Sequence, residues 1–175
     1  GKSDSLGVEL EARWQITDGL SVDGSIGYID HNLKRFPAAD ITGTNRNIAS
    51  VQRPGYQPST TANAGITYST PIGSGDTKVT ARLGWTYVSE QIAFGNPLTA
   101  PFQDATSSNA RSLGDAQLRI DDINLGGGEF DLQFWGKKIL DKEYVSRGID
   151  FGQLGFGSVI YGDPATYGMS LEFEF

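Results

Sequence analysis

In the segment from Ala165 to Phe175 every second side chain is apolar: Tyr167, Met169, Leu171, Phe173 and Phe175 alternate with Gly168, Ser170, Glu172 and Glu174. A β-strand turns successive side chains to opposite faces, so this alternation predicts a strand with one oily face and one wet face. The same period returns along the chain. From Ser5 to Ile16, Leu6, Val8, Leu10, Ala12, Trp14 and Ile16 stand opposite Gly7, Glu9, Glu11, Arg13 and Gln15. Further apolar stripes are Leu20, Val22, Gly24, Ile26 and Tyr28; Thr60, Ala62, Ala64, Ile66 and Tyr68; Val79, Ala81, Leu83, Trp85 and Tyr87; a weaker one at Ala116, Leu118 and Ile120; and Phe130, Leu132 and Phe134. With the last segment these make about seven predicted strands.

None of those apolar-face positions holds Asp, Glu, Lys or Arg, and a charge facing mid-bilayer lipid would cost about 2–4 kcal/mol. The connections alternate in length. Thr17 to Gly19, Pro71 to Asp76 and Asn124 to Gly128 are short, whereas Asp30 to Pro58, Gln91 to Ser112 and Leu140 to Pro164 are long. Asp18-Gly19 is expected to supply the positive φ angles of a tight hairpin. Outer-membrane barrels arrange short periplasmic turns and long extracellular loops in this way. Trp14, Tyr28, Tyr68, Trp85 and Tyr87 fall toward strand ends on the apolar face, as an interfacial girdle requires. The expectation is an all-β antiparallel transmembrane β-barrel. Single-chain bacterial barrels have an even strand number from 8 upward, and an open sheet would leave unpaired N–H and C=O groups in hydrocarbon. Residues 1–175 are therefore expected to form the C-terminal strands of a larger barrel, with earlier strands upstream of Gly1.

The 175 residues suffice for a domain-sized structure, and 23 glycines with 20% charged residues suit strands and turns. The absence of cysteine rules out a disulfide framework and thiolate metal sites. A net charge of -7 argues against a nucleic-acid partner. No run approaches the roughly 20 apolar residues of a membrane helix, and Gly1 opens no recognisable signal peptide.

Longer motifs add a resemblance. GKSDSLGVELEARW resembles the stretch G-x-x-x-x-x-G-V-E-L-E-x-x-W of later barrel strands in TonB-dependent outer-membrane receptors. DLQFWGKKILDKEY resembles their penultimate strand, W-G-K-N-L-x-D-x-x-Y, with Lys138-Ile139 where Asn-Leu is usual. YGDPATYGMSLEFEF resembles their final Y-G-x-P-R-T-Y-G-x-x-x-x-x-F, with Ala165 where Arg is usual. The run from Thr166 to Phe173, closing on Phe175, looks like the C-terminal signal read by barrel-assembly machinery, which would make Gly168, Leu171, Phe173 and Phe175 an assembly signal. The resemblance implies a 22-stranded barrel with an N-terminal plug, absent from these residues, through which TonB drives uptake of a scarce nutrient such as a ferric siderophore, cobalamin or an oligosaccharide. It implies residence in the outer membrane of a Gram-negative bacterium, in contact with its lipid, and no enzymatic activity.

The sequence offers little catalytic chemistry and calls for no cofactor. The single histidine, His31, is expected at the start of a loop without triad or metal-ligand partners. Asp40 to Asn45 lacks the acidic set of a calcium loop, and Gly152, Gly155 and Gly157 lack the strand-to-helix context of a phosphate cradle. Asp121-Asp122 and Glu172/Glu174 are expected to coat a wet lumen or a turn, and Glu9, Glu11, Arg13, Arg82, Arg119 and Asp131 to form a hydrated, cross-strand-paired wall. Ligand contact is expected from aromatic residues of the long connections: Phe36, Tyr56, Phe94, Phe102, Tyr144, Phe151, Phe156 and Tyr161. Two other readings stand beside a receptor: a passive porin or adhesin-type barrel, and a soluble carbohydrate-binding β-sandwich whose apolar faces meet each other.

Overall fold

A computed structural model describes residues 1–39, 42–124 and 128–174. The chain runs through β1 (Lys2–Gln15), β2 (Leu20–Arg35), β3 (Pro37–Ala39), β4 (Asn45–Asn47), β5 (Thr60–Pro71), β6 (Lys78–Val88), α1 (Gln103–Thr106), β7 (Arg111–Asn124), β8 (Glu129–Lys137), β9 (Val145–Phe151), β10 (Phe156–Tyr161) and β11 (Thr166–Glu174). Seven strands form one antiparallel sheet in the order β1-β2-β5-β6-β7-β8-β11. Each strand pairs with the next long one in sequence, so the sheet is a meander, and the predicted strands are its members.

The register brings the apolar stripes onto one face. Leu10 pairs with Ile26, Ile26 with Ala62, Ile66 with Leu83, Leu83 with Ala116, Leu118 with Phe134 and Leu132 with Leu171. No second layer covers that face among the described residues. Leu10 is 65% exposed, Ile26 48%, Leu83 57% and Phe134 42%, so the sandwich arrangement, in which these side chains would meet a facing sheet, does not occur. Buried apolar side chains sit elsewhere, at Ile48, Ile92, Ala93 and Ala100, all in the long connections.

Three local expectations are corrected. First, β2 continues to Arg35 and the connection starts at Phe36, not Asp30. The oily stripe ends at Tyr28 because Asp30, Asn32 and Lys34 follow on that face, but backbone pairing with β1 persists to Lys2. Lys34 pairs with Asp4 across this polar margin, which bounds the apolar band. Second, Gly19 does not have positive φ. The turn closes through Ile16 N–H to Leu20 O at 2.8 Å and Leu20 N–H to Thr17 Oγ1 at 3.1 Å. Gly19 is needed for proximity, since a Cβ would overlap the Ser69 carbonyl of β5, whose N–H donates to Gly19 O at 2.7 Å. Third, the long connections carry structure: the β3–β4 pair, α1, and the β9–β10 hairpin. Parts of the predicted Asp40–Asn45 and Asn124–Gly128 turns, and Phe175, lie outside the described residues.

Candidate functional site

The polar face carries a network that the strand order assembles. Arg82 on β6 donates from Nη1 and Nη2 to both oxygens of Asp23 on β2, at 2.7 and 2.9 Å, and from Nη1 to Thr67 Oγ1 at 2.7 Å. The guanidinium crosses the intervening strand over Gly65, where a Cβ would sit 2.8 Å from Asp23 Oδ2 and overlap the guanidinium. Toward the short-turn end, Arg119 pairs with Asp121 and, at 2.8 Å, with Asp131, whose other oxygen accepts the Asp122 N–H at 3.0 Å. Asp122, at φ 58°, sits where the β7–β8 register shifts. Asp121 through its carboxylate and Asp122 through its backbone thus anchor a strand end.

Higher on the same face lies an open trough of about 620 Å³, lined among others by Asn63, Thr86, Asp115, Gln117, Gln133 and Trp135. Asn63 Nδ2 donates to Ser25 Oγ at 2.7 Å, and Asp115 Oδ1 accepts the Lys138 N–H at 2.9 Å. The Trp135 indole lies against Gly168 of β11, where any Cβ would overlap it; the Lys137 ammonium is 5.4 Å from its ring centroid. An aromatic ring packed over a cross-strand glycine shields otherwise open backbone. Gly168, expected to belong to an assembly signal, therefore also has a packing role. Leu171 and Phe173 lie on the uncovered apolar face, and Phe173 stacks with Phe130 at 4.5 Å between centroids.

Above the trough the three long connections are tied into a cap. Tyr56 O–H donates to the Gly148 carbonyl and accepts the Gly148 N–H at 3.1 Å. Arg53 N–H donates to Gly95 O at 3.0 Å and Tyr56 N–H to Ile92 O at 2.8 Å. Gln91 and Ser108 exchange backbone bonds at 2.9 and 2.8 Å. Asp150, 8% exposed, accepts the Phe102 N–H at 2.7 Å at the start of α1, joining the hairpin to the second connection. Gly148 and Thr106 approach too closely for any Cβ at 148. At the cap's edge Lys138 Nζ donates to Asp163 Oδ2 at 2.8 Å, which holds the amine above and the carboxyl below their usual ranges.

The aromatic residues expected to meet a ligand divide into three groups. Tyr56, Phe102 and Tyr144 are engaged in the cap, Tyr144 beneath Gly162 with the Arg111 guanidinium 4.7 Å from its ring centroid. Phe94 is half-buried. Phe36 and Tyr161 are exposed, as are Phe151 and Phe156, which stack on each other across the hairpin at 5.0 Å. His31, expected in a loop, lies in β2 with Nδ1 2.6 Å from Ser5 Oγ and its Nε2 buried without a partner. It lines a smaller pocket of about 340 Å³ with Arg53, Gln57 and Glu90. Among the described residues no three His, Asp or Glu side chains gather to hold a metal. Sequence reading missed Asp150 and Trp135, since neither stands in a motif that signals its partner.

The sequence matches no protein-family model and no curated protein. Among solved structures, the fold is similar to the ferric yersiniabactin uptake receptor FyuA from Yersinia pestis, with a TM-score of 0.66 and 17% identity. The match covers 99% of this chain and 24% of that one, so the chain spans about a quarter of the receptor's length. The seven-stranded antiparallel sheet of these residues therefore has the fold of part of that receptor.

Proposed function

We propose that residues 1–175 are a wall segment, with its extracellular loops, of an outer-membrane receptor that takes up a scarce nutrient with energy from TonB. The observation that supports this most is the division of one sheet into an uncovered apolar face and a hydrogen-bonded polar face. Water on both sides would penalise the exposed Leu, Ile and Phe side chains, whereas lipid on one side removes that penalty. The apolar face then meets outer-membrane lipid and the polar face lines the lumen. The cap lies at the extracellular end and the short turns at the periplasmic end. The remaining strands and a plug that contacts TonB belong to other parts of the whole protein. Phe36, Phe151, Phe156 and Tyr161 are exposed loop aromatics available for a first ligand encounter.

The test uses the full-length protein in its own bacterium. It should fractionate with the outer membrane, and nutrient uptake through it should vanish when TonB is removed. Recovery in the soluble fraction, or uptake that does not depend on TonB, would refute the reading. Deleting Phe175 should lower the yield of inserted barrel; normal yield would remove the assembly role of the C-terminal signal.

A further inference from the structure

We infer that the lumenal trough beneath the cap is a binding subsite for a neutral, polyhydroxylated ligand of the oligosaccharide class; this rests on the receptor reading above and narrows it. The trough, about 620 Å³, falls within the roughly 300–1,000 Å³ of small-molecule sites. Its charges cancel: Asp23 and Asp115 stand against Arg82 and Lys137. Arg82 donates from both terminal nitrogens to Asp23, whose charge offsets its own and so reduces its attraction for an anionic guest. Among the described residues lining the trough, Lys137 is the one cation without an ion pair, so an anionic metal chelate would find little charge there to compensate its desolvation.

What the trough does offer is unused amide chemistry. Gln117 and Gln133 line it, and their side-chain amides form no hydrogen bond with the described residues. Each presents a carbonyl acceptor and two N–H donors, the combination that matches a hydroxyl able to donate and accept at once. The Asn63 carbonyl and the second oxygen of Asp115 remain open as acceptors beside them. Trp135 supplies an aromatic wall whose position is fixed by its packing over Gly168, and a rigid ring with an electron-rich face suits the polarised C–H groups of a sugar ring. Gly84, in the floor, has open space where a side chain would project. Neutral amides with an aromatic platform favour a hydroxylated guest over a charged one.

The experiment titrates detergent-purified full-length protein calorimetrically with neutral oligosaccharides of glucose, mannose, galactose, xylose and arabinose, and in parallel with ferric siderophores. At least one saccharide should bind. The variants Gln117→Ala and Gln133→Ala should each weaken it by about tenfold, and Trp135→Leu by more. The two glutamine variants truncate half-buried side chains whose amides make no hydrogen bond with the described residues, so they keep the test valid if Trp135→Leu folds poorly. Glu11→Gln, on β1 outside the trough, should leave affinity unchanged. Saccharide binding that survives the glutamine substitutions overturns the subsite. Binding of siderophores alone overturns the ligand class while the receptor reading stands. A protein that is soluble and binds neither class loses both readings.

Discussion

Arg82 and Asp23 lie on strands that do not touch each other, and their two-pronged ion pair closes over Gly65 of the strand between them. The pair ties three strands together on the polar face, and it exists because one residue has no side chain. Removing the carboxylate with Asp23→Ala should lower barrel stability only modestly, as expected of a solvent-screened ion pair. Gly65→Leu should do at least as much by wedging the two groups apart, and the double variant should show little further loss from the pair itself. Thermal unfolding of the full-length barrel measures this; strictly additive losses would show that the two positions are independent.

Gly168 and Trp135 make a second such contact, on the strand that carries the expected assembly signal. Gly168→Ala should cost about 1–3 kcal/mol through overpacking against the indole, and adding Trp135→Ala should recover part of that. Stability and inserted yield are measured together. A loss of yield that Trp135→Ala does not relieve would assign Gly168 to assembly recognition alone.

In the cap, Asp150 is the acceptor for the Phe102 N–H, and its side chain is buried. Asp150→Ala leaves that donor without its partner, a local penalty of about 1–3 kcal/mol. Hydrogen exchange at residues 100–108 should accelerate, while exchange in β1 and β2 stays as it was. Asp150→Asn, which retains a carbonyl acceptor, should restore most of the protection. Equal exchange in all three proteins would mean that the bond does not hold the cap.

Leu83 is exposed at the middle of the apolar face, paired with Ile66 and Ala116. Leu83→Arg should destabilise the barrel in bilayers by about 2–4 kcal/mol, whereas Thr86→Arg on the polar face should change stability by much less. Folding titrations into lipid vesicles distinguish them. Equal tolerance at both positions would place water on both faces.

The motif resemblance and the coordinates agree at one informative departure. Lys138 stands where the resembling motif has Asn, and it adopts φ 56°, a left-handed conformation that Asn takes more readily than Lys. Its backbone N–H is held by Asp115 and its amine by Asp163, which offsets the less suitable residue.

The sequence alone determined the seven long strands, their faces and the short turns that join them in hairpins. Those properties follow from a period of two and from short turns, and both act between near neighbours. β2 outruns its sequence signal because its oily stripe ends at Tyr28 before its hydrogen bonding does. The demand for glycine at position 19 is not legible locally, because the group that imposes it, the Ser69 carbonyl, belongs to another strand. The cap and the trough were decided only by the tertiary structure. Tyr56 and Gly148 are 92 residues apart, and Asp23 and Arg82 are 59 apart. No local pattern encodes such meetings, since each arises only when the sheet has set where its strands emerge and the loops have packed against one another.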